Sequence, residues 1–216
     1  VTLKKSEEGY LLFDSTVFYG ESGGQIGDSG KIFFDNNIFE VTDAKKNENY
    51  ILHSGKVKTG SFEIGGQYQM EVDGEKRESI RKNHTAAHLL QKALKIILGI
   101  HVKQLGSYVD DKRLRFDFNH YNALTKNEVE QIEILVNQAI LKNYKVDIFE
   151  TKIDEALKMG ALAYFEEKYS DIVRVIKIND FSTELCGGSH VSSTGEIGSF
   201  RIISESSSSS GVRRIE

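Results

Sequence analysis

Two short stretches hold the residue types that could do chemistry: His84-Thr85-Ala86-Ala87-His88 near the middle of the chain and Cys186-Gly187-Gly188-Ser189-His190 near its end. Imidazoles four residues apart stack on one face of a helix, and a helix commonly offers two of them to a metal in this way. Gly187-Gly188 allows a turn tight enough to aim Cys186 and His190 at one point. Each half also has an ordinary reading. The histidine pair suits a solvated helix face, Cys186 a small buried hydrophobe, His190 a satisfied polar residue at a strand start, and Cys186 with His190 a nucleophile pair. No third residue that would orient such a nucleophile stands at a recognisable spacing. Three imidazoles and one thiolate together fit tetrahedral Zn²⁺ better than any of these. Four protein ligands would close the site as structural, and three would leave a position for water or substrate; spacing leaves that choice open. No other trio in the chain could run a hydrolysis, which favours a metal at or beside the reaction centre.

These residues need elements to carry them. At 216 residues, the length suits two domains of ordinary size, here expected as 1–75 and 76–216. A hydrophobic fraction of 39% with 28% charged residues argues against disorder and against a membrane-embedded chain. No apolar run reaches the roughly 18 residues a membrane span needs, and the N-terminus has no signal-peptide core. The single cysteine excludes an internal disulfide and fits a reducing cytoplasm. A formal net charge of −4 gives no global pull on nucleic acid, so any such contact is local. Val1 stands where an initiator Met would, and a piece of something longer is expected.

Up to about Glu71 the pattern is short β-like runs, at Tyr10 to Phe13, Lys31 to Phe34, Ile38 to Val41, Tyr50 to His53 and Gln67 to Val72, with Gly and Asn between them. The loop Ser22-Gly23-Gly24-Gln25-Ile26-Gly27-Asp28 reads either as a turn needing positive φ or as a backbone that approaches a ligand. The charged run Asp73 to Lys82 marks a junction. A helix then follows, with Asn83 able to cap it, Gly99 able to end it, and Leu90, Ala93, Leu94 and Ile97 on one face. Leu114, Phe116 and Phe118 alternate with charges as a strand. Thr125 and Glu128 form a capping box for a second helix with the stripe Val129, Ile132, Val136, Ala139, Ile140. Strands are expected at Lys145 to Thr151, Ile172 to Ile178 and Ile197 to Ile203, a broken helix at Asp154 to Lys168, and a flexible loop at Ser206 to Ser210.

The runs HTAAHLL, GSYVDDKRLRFDF, MGALAYFEEKYSDIVRV and FSTELCGGSHVSSTGEIGSFRI, with GVRRIE at the end, together resemble the editing region of alanyl-tRNA synthetases; SGGQIGDSG resembles the glycine-rich loop of the β-barrel before it. The resemblance covers nearly the whole chain. It implies an α+β fold, with a small N-terminal β-barrel followed by an α+β editing domain of antiparallel sheet and helices. It implies an aminoacyl-tRNA ester hydrolase that removes serine or glycine from mischarged tRNA(Ala), acting on the tRNA acceptor end alongside the remaining synthetase domains, with no aminoacylation by this stretch. It also implies that His84, His88, Cys186 and His190 are zinc ligands, that Gln104 is a pocket residue for editing, and that Thr85 recognises the serine hydroxyl. Three departures stand out: Ile26 where the family often has Pro, CGGSH where it often has CGGTH, and the serine run 206–210. A free-standing trans-editing deacylase and a non-catalytic zinc-stabilised RNA-binding module are the other readings.

Serine is alanine plus a hydroxyl, so an apolar alanine pocket rejects it only about 100-fold, and a second site must supply the rest. Thr85 fits that role in sequence, and equally fits a helix-interior Thr bonded back to a carbonyl. Arg81, Lys103, Arg113, Arg115 and Gln25 are candidates for tRNA contact; a solvated charged face accounts as well for the four cations.

Overall fold

Alternating apolar and polar residues between Gly and Asn turns make somewhat more than half of the first 72 residues sheet. In the computed structural model, which describes residues 2–162 and 171–216, this part contains β1 (Thr2–Lys4), β2 (Glu8–Leu11), β3 (Gly30–Phe34), β4 (Asn37–Asn47), β5 (Tyr50–Thr59), β6 (Ser61–Glu63) and β7 (Gln69–Val72). Five of them form an antiparallel sheet in the order β2-β5-β4-β3-β7, and β1 pairs with β6. The expected barrel is not closed: the edges β2 and β7 are four-residue strands with no hydrogen bonds to each other. Beyond β3, the far half of β4 is met instead by the glycine-rich loop, through a bridge from Glu21 to Lys45. The apolar face buries Phe18, Ile32, Phe39, Val41, Ala44, Val57 and Phe62.

The chain divides into two compact units, Val1–Ser79 and Ile80–Glu216, and the division falls inside one helix, α1 (Gly74–Leu98). The run Asp73 to Lys82 therefore holds the division between the units, as expected, and also forms the first turns of that helix, which begins earlier than Asn83. Its charged side chains are good helix formers, the Asp73 carboxylate accepts the Lys76 N–H at 3.1 Å, and Asn83 lies mid-helix with its amide donating to Asp110 O at 2.8 Å. Gly99, at φ 116°, ends α1.

The second unit continues with β8 (Gln104–Val109), β9 (Leu114–Asn119), α2 (Lys126–Leu141), β10 (Val146–Lys152), α3 (Ile153–Lys158), β11 (Ile172–Ile178), β12 (Ser182–Leu185), a 3₁₀ turn at Thr194–Ile197, β13 (Glu205–Ser209) and β14 (Val212–Ile215). They form two antiparallel sheets, β13-β14-β9-β8 and β10-β11-β12. The capping box opens α2: the Thr125 side chain accepts the Glu128 N–H, and Glu128 Oε2 accepts the Thr125 N–H. Two expectations fail near the C-terminus. Residues 198–203 are not a strand, and the serine run up to Ser209 is one, because β14 pairs with it, with a register shift between Ser207 and Ser209, and Gly211 (φ 72°) turns the chain between them. Of the broken helix expected from Asp154 to Lys168, the part at 163–168 lies outside the described residues.

Candidate metal centre

A helix and a strand end build the centre from opposite sides. On α1 the buried face includes Ile80, His84, Thr85, His88 and Leu89, so the i, i+4 spacing puts both imidazoles inside rather than on a solvated surface. On β12 the period of two places Ser182 and Glu184 on one face. Continued one residue beyond the strand, the same alternation brings in Cys186, whose N–H bonds to Arg174 O at 3.2 Å. Arg174, on β11, then fixes the glycine turn: its Nη1 donates to Cys186 O at 2.7 Å and to Gly188 O at 2.8 Å. Arg81, one helical turn before His84 and Thr85, donates from Nε to His190 O at 2.5 Å and fastens the far side of the turn to α1.

The result gathers His84, His88, Cys186 and His190 so that one ligand atom from each lies within 4.8 Å of the others. Cys186 Sγ is 3.4 Å from His84 Nε2 and 3.4 Å from His190 Nε2. Tetrahedral zinc with ordinary Zn–N and Zn–S bonds separates N and S by about 3.5 Å. The rings crowd together, with centroids 4.5 to 5.4 Å apart. Two outer nitrogens are engaged away from this point: His88 Nδ1 lies 2.6 Å from Glu184 Oε2, and His190 Nδ1 lies 3.2 Å from Thr85 Oγ1. His88 Nε2 is buried and has no hydrogen-bond partner among the described residues. A buried nitrogen left over while its ring partner is tied down costs free energy unless something binds it. The donor set fits Zn²⁺.

The protein's own charges act strongly here. Burial pulls the His88 imidazole down, but the Glu184 carboxylate and the Cys186 sulfur outweigh it and push it up to about 10. Burial and the neighbouring His84 bring His190 down to about 3. Burial raises the Cys186 thiol, yet His84 and the hydrogen bonds from His190 and His84 carry it well below its ordinary value. These charges favour Cys186 as a thiolate and His190 as a neutral imidazole, the forms in which both bind metal, whereas His88 must release a proton when metal binds.

Residues 173–216 match the family model for the threonyl and alanyl tRNA synthetase second additional domain, and residues 1–76 match that for class II (A) tRNA synthetases. The alanine–tRNA ligase of Carboxydothermus hydrogenoformans is 50% identical over 216 residues, covering 100% of this chain and 25% of that protein. That of Fusobacterium nucleatum is 49% identical over 212 residues, covering 98% and 24%. The chain belongs to the alanine–tRNA ligase family. It spans about a quarter of the length of the curated family members it matches. Cys186 and His190 fall inside a matched domain, whereas His84 and His88 fall between the two.

Within this family segment the other candidates are placed as follows. Gln104, half-buried at the start of β8, donates from Nε2 to Ser107 Oγ at 3.1 Å and makes no hydrogen bond to the four-ligand group. Thr85 is fully buried, and its hydroxyl donates to Arg81 O at 2.9 Å while Val191 N–H donates to it at 3.2 Å. Arg81 is spent on His190 O. Arg113 pairs with Glu216 at 3.1 Å and Arg115 lies 3.7 Å from Asp117, so both are partly neutralised; Lys103 is exposed. Gln25 is fully buried in the glycine-rich loop, away from solvent. In that loop Gly27 has a steric reason, since a Cβ there would come 1.9 Å from Ala44 O. Sequence reading missed Glu184, Ser182 and Arg174. The carboxylate two residues before Cys186 was the available signal for Glu184.

No helix among the described residues is long and apolar enough to cross a membrane.

Proposed function

We propose that this chain carries a proofreading site that hydrolyses the ester joining serine or glycine to tRNA(Ala), with Zn²⁺ held by His84, His88, Cys186 and His190. The observation that supports it most is the convergence of three imidazoles and one sulfur within 4.8 Å in a segment of the alanine–tRNA ligase family. When bound, Zn²⁺ supplies a Lewis acid for the aminoacyl end of the tRNA. The protein's residues do the rest. Cys186 and the histidines fix where that end sits, and Gln104 orients the ester carbonyl or a water by hydrogen bonding. The ester is already activated, so positioning supplies most of what hydrolysis needs.

We assign Thr85 to positioning. Its one proton goes to Arg81 O, and its lone pairs face His190 Nδ1 and Val191 N–H, which leaves no capacity for a serine hydroxyl. Exposed Lys103 is the cation we retain for phosphate contact. The experiment compares deacylation of seryl-tRNA(Ala) and alanyl-tRNA(Ala) by the wild type and Cys186→Ala, with metal content measured on both. Loss of zinc together with loss of serine-specific hydrolysis is expected. A variant that lost zinc and kept full hydrolysis would overturn the mechanism.

A purely structural metal is a second reading, favoured by the presence of four donors rather than three. It requires that chelation unfold the second unit and that the metal-loaded protein lack hydrolase activity.

A further inference from the structure

Behind His88 stands a carboxylate that no ligand count includes. Glu184 is 2% exposed, and a buried carboxylate is costly unless both its oxygens and its charge are answered. The oxygens are answered by side chains: Oε2 lies 2.6 Å from His88 Nδ1, and Oε1 accepts the Ser182 hydroxyl at 2.6 Å. Both partners follow from local structure. Ser182 and Glu184 share a face of β12 through the two-residue period, and β11 holds that strand in register, Ile178 opposite Ser182 and Ile176 opposite Glu184. A carboxylate at Nδ1 holds the ring proton there, so in the neutral, metal-binding form of His88 the lone pair lies on Nε2, the buried atom that lacks a hydrogen-bond partner. His190 differs, since its Nδ1 faces the neutral hydroxyl of Thr85.

We propose that Glu184, anchored by Ser182, is a positioning residue that fixes the orientation and tautomer of His88 and so strengthens metal binding at the centre. The inference rests on the reading of the four residues as a metal site. Carboxylates placed behind ligating histidines typically strengthen metal binding about 10–100-fold.

The test measures zinc affinity of the full chain by competition with a chromophoric chelator, for the wild type, Glu184→Gln and Ser182→Ala. Co²⁺-loaded spectra are recorded on the same proteins, and nitrogen–proton correlations of the histidine rings on the zinc-loaded wild type. Glu184→Gln is expected to bind zinc about 10–100-fold more weakly, with the sulfur-to-cobalt charge-transfer band retained and the ligand-field bands shifted; Ser182→Ala shifts both in the same direction by less. The wild-type spectra should show His88 protonated at Nδ1. An affinity for Glu184→Gln within about twofold of wild type with unchanged cobalt bands overturns the inference and leaves the metal site standing. A wild type that takes up no stoichiometric zinc overturns both. Should Glu184→Gln fail to fold, the wild-type ring spectra decide, and a proton found on His88 Nε2 overturns the proposal.

Discussion

Each unit buries histidine, and the two kinds of burial have opposite consequences. In the first unit His53 is fully buried between the rings of Phe13 and Phe18, with centroids at 5.5 and 5.2 Å. Both of its nitrogens have partners: Nδ1 lies 3.1 Å from Leu11 O, and Nε2 lies 2.7 Å from Thr16 Oγ1. Nothing on that ring is left to bind. In the second unit, His88 and His190 each use one nitrogen on an outer partner and turn the other toward the same sulfur. What fits a buried histidine to bind a metal is the nitrogen the fold leaves over, and degree of burial does not distinguish the two cases.

The largest expected effect breaks that contrast. His88→Gln should lose stoichiometric zinc, while His53→Gln should keep it, as read by metal analysis after dialysis; equal metal content in the two would erase the distinction. Next comes the buried ion pair of the first unit, where Arg77 donates to Asp28 and Asp28 is 1% exposed. Arg77→Ala leaves that carboxylate unpaired and should cost the first unit about 3–5 kcal/mol in urea unfolding. Thr85→Val keeps the side-chain shape but strands the Val191 N–H and alters the setting of His190 Nδ1. About 1–3 kcal/mol of stability should go, together with a measurable drop in zinc affinity.

A smaller effect comes from pH. Burial depresses the His53 imidazole against the opposing pull of its bond to Leu11 O. The folded value therefore lies below the unfolded one, and the unfolded chain takes up the proton first. The contribution is fully present above about pH 6.5 and declines as pH falls below it. The urea midpoint of the first unit should drop on acidification, with a shallower slope in His53→Gln. Smallest is the helix cap: Thr125→Ala should cost about 1 kcal/mol, with zinc content unchanged.

Much of the centre was legible because its determinants are local. The pair His84 and His88 needs only helical spacing, and Cys186 and His190 need only a glycine turn. Thr125 with Glu128 announces α2 within four residues, and the apolar run Ile172 to Ile178 coincides with β11. What could not be read depends on register across the fold. Glu184 meets His88 across 96 residues, and Thr85 meets His190 across 105; no local period encodes either pairing. The serine run misled because its composition suggests a loop, while its strand conformation comes from the hydrogen-bonding edge that β14 supplies. The start of α1 misled because a charged amphipathic turn and a polar linker share a composition, and the Asp73 carboxylate that begins the helix lies inside that run.

The separation between the two ligand pairs also gives the molecule a timetable. His84 and Cys186 are 102 residues apart. At synthesis rates of about 5–20 residues per second, roughly 5–20 s pass between them. Throughout that interval α1 holds two histidines whose counterparts have yet to be translated, and β12, with Glu184, emerges only just before Cys186. Assembly of the centre therefore waits until Cys186 and His190 have been made. Closing so long a loop draws on chain entropy of about 4–5 kcal/mol by the cross-link estimate, so a bound metal would work as a late, reversible clasp.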